Sequence, residues 1–213
     1  MTLSPGFRKL LLTAHLTFSV GWLGAVLVFL ALALAGLRSP DAQLVRAAYQ
    51  AMELSAFFVI VPASLGALLT GVAQALGTHW GLFRHYWVLV KLVLTVAATA
   101  LLLLHLRPIG FLAGVVSSGG MLPALHRGLR LQMVLDAGAA ALLLLGLVLI
   151  SVYRPWGRTP FGRPRQPAPP SHSPAGPAAD ARWGTGGYVL AALLLLLGLV
   201  ILKHLLGGGL RHH

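Results

Sequence analysis

The sequence predicts an all-α fold, a polytopic membrane helix bundle with a four-helix core and a fifth transmembrane helix. Three observations predict it. Of 213 residues, 57% are hydrophobic and 9% charged, and the mean hydropathy is +0.84, far from the composition of a water-soluble domain. A helix needs roughly 20 apolar residues to cross a hydrocarbon core about 30 Å thick, and runs of that length recur five times. The runs are continuous Leu/Ala/Val/Gly stretches, whereas barrel strands alternate apolar and polar residues over segments of about ten.

The first run, Leu10–Leu37, follows Arg8 and Lys9, and its Ala33-Leu34-Ala35 resembles a signal cleavage box. Its apolar part is far longer than the roughly 7–15 residues of a secretory signal, so it reads as a retained helix. The connection Arg38–Gln50 opens with Ser39-Pro40-Asp41, where Ser39 or Asp41 caps a short helix leading into the second run, Ala51–Gly77. Thr78–Arg84 is a tight link to the third run, His85–Leu106. Arg107–Arg130 is half apolar with Ser117-Ser118-Gly119-Gly120 at its middle, which predicts an ordered loop lying in the interface or dipping back as a short lid. The fourth run is Leu131–Tyr153 and the fifth Tyr188–Leu206. Between them, Arg154–Gly184 holds eight of the thirteen prolines and five arginines, the composition of a solvated, semi-extended linker. The chain therefore divides into a four-helix core (1–153), a Pro/Arg-rich flexible linker (154–186) and a C-terminal transmembrane helix with its tail (187–213).

The net charge of +12 sets 16 Lys and Arg against Asp41, Glu53, Asp136 and Asp180. Most of these cations flank apolar runs, where they anchor helix ends and meet anionic headgroups, so the expected partner is a lipid bilayer and not a nucleic acid. With side A defined as the side of the N-terminus, cations flanking the spans number eight on side A and seven on side B. The arginine-rich linker favours side A as cytoplasmic. The chain has no Cys, which excludes disulfides, iron–sulfur clusters and thiol chemistry and leaves any metal to nitrogen or oxygen ligands.

Ionisable groups within membrane spans are costly and usually face the bundle interior, so each is a functional hypothesis. Five stand out: His15, Glu53, Lys91, His105 and Asp136. Successive spans run in opposite directions and a helix rises about 1.5 Å per residue, which puts His15 and Lys91 at one level near side A, joined there by Thr70 and Gln74. His105 lies fourteen residues beyond Lys91, about 21 Å closer to side B but on nearly the same helix face. There it can meet Glu53 and Asp136. Two polar layers result, His15/Lys91 and His105/Glu53/Asp136, separated by an apolar waist.

A neutral imidazole in an apolar bundle is the usual axial donor to haem iron. His15 is accordingly the expected ligand of haem b, with Gly21, Gly24 and Ala25 opening a flat slot and Trp22 packing on the macrocycle. Lys91 is expected either as a second ligand or as a cation for the propionates. The alternatives are structural: His15 bonding Ser19, Thr70 or a backbone carbonyl, Lys91 snorkelling to the interface, Trp22 filling core, and Asp136 or Glu53 pairing with Arg130, Arg127 or His105.

The pattern His15-x6-Trp22-x-Gly24 in the first span, followed by Trp87-Val-Leu-Val-Lys91 and His105 in the third, resembles the copper-resistance-D/HemJ-like group of small bacterial membrane proteins. Within it the chain looks closest to an uncharacterised, actinobacterial-type family of integral membrane proteins. The resemblance covers roughly residues 7–153. It implies a bacterial inner-membrane protein, haem b on a first-span histidine (His15) and a third-span lysine needed for activity (Lys91). The fifth helix, the linker and the longer Arg107–Arg130 loop depart from the HemJ-type oxidases. Copper handling fits less well, because Cys is absent and Met1, Met52, Met121 and Met133 are scattered. The function expected is membrane redox chemistry on a tetrapyrrole, as a HemJ-like oxidoreductase, or electron transfer to a quinone. A transporter of ions or metals, and a non-catalytic subunit that meets a second copy or a membrane-complex partner, are the competing readings.

Overall fold

The computed structural model describes residues 4–77, 85–118 and 127–153, with residues 188, 192–195, 197–199 and 202 beyond them. Among the described residues the chain is almost wholly helical, and four helices are long and apolar enough to cross a membrane: Pro5–Arg38, Ala42–Gly77, Tyr86–Ser117 and Arg127–Tyr153. They are the first four expected spans. The expected linker 154–186 lies outside the described residues, as does much of the expected fifth helix, so a fifth membrane span is not shown. The residues described there are helical, and Leu193 and Leu197 are buried against the core.

Helix α1 (Pro5–Arg38) begins with Pro5, whose missing N–H costs nothing at a first helical position, while the Ser4 hydroxyl accepts from the Phe7 amide at 3.4 Å. It stops where Pro40 drives Ser39 into an extended conformation, φ −69° and ψ 135°. Helix α2 (Ala42–Ser55) is capped by the Asp41 carboxylate, which accepts from Gln43 N at 2.9 Å, and Ser39 Oγ accepts in turn from Asp41 N at 3.1 Å. A π-helical turn, Ala56–Ile60, joins α2 to α3 (Val61–Gly77), so the three form one continuous rod. Pro62 accounts for the wide turn: its ring crowds the carbonyl four residues back, at Phe58, and it has no N–H to give.

Helix α4 (Tyr86–Ser117) corrects one expectation. The first part of Arg107–Arg130 is not a loop: the helix runs on through Pro108 to Ser117. Proline inside a helix costs about 3 kcal/mol. Burying Ile109, Leu112 and Val116, at about 1.5–3 kcal/mol each, outweighs that cost. Helix α2 covers this extension. Arg46 Nε donates to Val116 O at 2.8 Å and Gln50 Nε2 to Ser117 Oγ at 3.1 Å, so the exposed end of α4 is supplied with donors. The 32 residues of α4 measure about 48 Å, well beyond the hydrocarbon thickness.

Helix α5 (Arg127–Tyr153) packs on both α1 and α4, α1 also packs on α2 and α3, and α3 on α4. Consecutive spans are therefore neighbours, the fourth closes on the first, and α1 and α4 stand diagonally. Close seams rest on glycine. A Cβ at Gly66 would lie 2.6 Å from the Phe18 ring, and one at Gly146 would run into Leu193. The core is a continuous stack from Trp22, Val26 and Phe29 of α1 to Leu143, Leu144 and Leu147 of α5.

Candidate functional site

On side A, His15 projects from α1 toward α3. Its Nδ1 lies 3.0 Å from Ala67 O and 3.2 Å from Thr70 Oγ1. A carbonyl only accepts, so Nδ1 carries the proton and Nε2 keeps its lone pair. Among the described residues Nε2 makes no hydrogen bond. The ring rests on Gly71, where a Cβ would come within 3.1 Å of Cε1, so glycine is what lets the imidazole approach the α3 backbone. Thr70 Oγ1 donates back to Gly66 O at 2.5 Å, and Gln74 Nε2 donates to Leu11 O at 2.8 Å. Thr70 and Gln74 thus lie at the level of His15, as their positions in the second span predict.

Lys91 reaches from α4 to α5, donating from Nζ to Ser151 Oγ at 2.5 Å, while Ser151 gives its own proton to Leu147 O at 2.7 Å. Lys91 and His15 stand on diagonal helices of the bundle. Sequence reasoning missed Ser151. The signal was available: it lies near the side A end of the fourth span, at the depth assigned to Lys91.

Toward side B, His105 Nε2 and Asp136 Oδ2 are 2.7 Å apart, and His105 Nδ1 lies 2.6 Å from Leu101 O. Both side chains are nearly buried, 11% and 10% exposed. The ring thus has a hydrogen-bonding partner at each nitrogen, which fits an ion pair and leaves no lone pair for a metal. Glu53 Oε1 lies beside Gly110, where a Cβ would stand 3.4 Å away. Arg130 bonds Tyr49 Oη at 3.2 Å and the Gly36 carbonyl, tying α5 to α2 and α1.

The His105–Asp136 pair borders a cavity of about 100 Å³ whose walls include Trp22, Phe29, Ile60, Leu102 and Ala140. Trp22, expected beside His15, therefore faces the other polar layer. Gly21 and Gly24 are exposed, and a Cβ at either meets no atom within 4 Å, so they lie on the outside of the bundle as described. Among the described residues no three His, Asp or Glu side chains converge as a metal site would require. No protein-family model, curated protein or solved structure matches the chain.

Proposed function

We propose that the chain is a bacterial inner-membrane redox protein that binds haem b near side A, with a cytoplasmic N-terminus. The observation that carries this reading is the contact of His15 Nδ1 with the Ala67 carbonyl. Donation of Nδ1–H to the Ala67 carbonyl fixes the ring and leaves Nε2 as a Lewis base, the arrangement that metal-binding histidines share. The donor set fits the group in that respect: one neutral imidazole in an apolar bundle and one cation at the same level. Lys91 is better suited to a propionate than to iron. Ser151 has its proton committed to Leu147 O, so its oxygen accepts from Lys91, and in its ammonium form Lys91 would hold an anion without giving up its proton.

Haem, when bound, supplies one-electron chemistry. The Ala67 carbonyl and Thr70 hydroxyl hold His15 in one orientation, and Lys91 would supply a positive charge at a similar depth. The reaction class we assign is tetrapyrrole oxidation or electron transfer to a membrane quinone. The test is the absorption spectrum of detergent-solubilised protein from haem-replete cells, oxidised and reduced. A Soret band is expected that His15→Ala abolishes, Lys91→Ala shifts and Gly71→Val, which displaces the ring, broadens or removes. A colourless protein, or a band untouched by His15→Ala, rejects the proposal.

A further inference from the structure

We propose that the cavity toward side B is a binding site for a single-ring aromatic alcohol, of the phenol or hydroquinone class, recognised by the His105–Asp136 pair. Size comes first. An apolar cavity of about 150 Å³ accepts benzene, so a space of about 100 Å³ is on the scale of one six-membered ring. Shape agrees, since Trp22 and Phe29 supply aromatic walls from α1 and Ile60 closes one side from the π turn. Polarity selects the functional group. The pair supplies the ionisable groups, nearly buried on both partners, and apart from the Trp22 indole N–H the other lining side chains are apolar.

A purely apolar guest would gain nothing from the polar atoms of the wall. A charged guest would be stripped of water among apolar walls and would face an ion pair carrying both signs. A neutral hydroxyl avoids both costs. A carboxylate accepts about four hydrogen bonds, so Asp136 takes one from the guest while keeping the bond to His105. The site shares neither residues nor position with His15. Leu197 also lines it.

The experiment is calorimetric titration of the detergent-solubilised full chain with hydroquinone and with 1,4-dimethoxybenzene, each corrected for empty micelles. Saturable binding of hydroquinone is expected, with the dimethyl ether at least about tenfold weaker, since it has the ring but no hydroxyl proton. Ala140→Leu and Ala98→Leu, which fill the cavity from α5 and α4, should each abolish binding, and His15→Ala should leave it unchanged. Absence of saturable hydroquinone binding to the unaltered chain overturns the proposal, as does equal affinity for the ether. Binding that survives in both filled variants also overturns it. The first two readouts need no variant, and the His15→Ala titration keeps this outcome separate from the haem question.

Discussion

Replacing the two members of the His105–Asp136 pair by leucine, singly and together, turns the buried ion pair into a measurable quantity. The partners are 2.7 Å apart with side chains 11% and 10% exposed. Removing one partner strands the other in an apolar surrounding, and breaking such a pair costs about 3–5 kcal/mol. The lower end applies here because Asp136 can take up a proton when His105 is gone, so each single variant should lose about 3 kcal/mol. The double variant puts two apolar side chains against walls that are already apolar, and it should lose no more than about 2 kcal/mol. The coupling is then at least about 4 kcal/mol, well above the mean of about 0.6 kcal/mol for neutral hydrogen bonds between membrane helices. Reversible unfolding of the four proteins in mixed micelles, followed by circular dichroism, gives the three differences. If the single losses add to the double loss within about 0.5 kcal/mol, the two side chains are not partners and the side B reasoning is wrong.

Gly66→Ala should destabilise the bundle by about 1–3 kcal/mol through overpacking, because the new methyl would stand 2.6 Å from the Phe18 ring; the same unfolding assay reads it, and a neutral result would show that α1 and α3 are not this close. Arg130→Ala should cost about 2 kcal/mol by removing the donors to Tyr49 Oη and Gly36 O, with Tyr49→Phe costing less because Gly36 O keeps its donor. A thermal scan that ranks the two the other way would contradict the clasp.

The fold was legible because hydrophobic length is a property of each segment alone. Four of the runs, read one by one, are the four membrane-length helices, and the cap at Asp41 follows from a three-residue pattern. The end of α4 was not legible. Pro108 with Ser117-Ser118-Gly119-Gly120 looks locally like a loop, and the helix persists because α2 covers Ile109, Leu112 and Val116 and caps the end with Arg46 and Gln50. That contact is tertiary. Trp22 shows the same limit, since its spacing from His15 fixes its angle on α1 but not which neighbouring helix fills the space in front of it.

Depth along a helix is arithmetic on residue number, and it put His15 level with Lys91 and His105 within reach of Asp136. Orientation across the bundle depends on which helices touch, so the amino-acid order alone could not choose Ala67 as the acceptor for His15, Ser151 for Lys91, or the His105–Asp136 pair as the border of a cavity. Rise per residue is fixed by the backbone of any α-helix, whereas a side chain's partner is fixed by packing against elements distant in the chain.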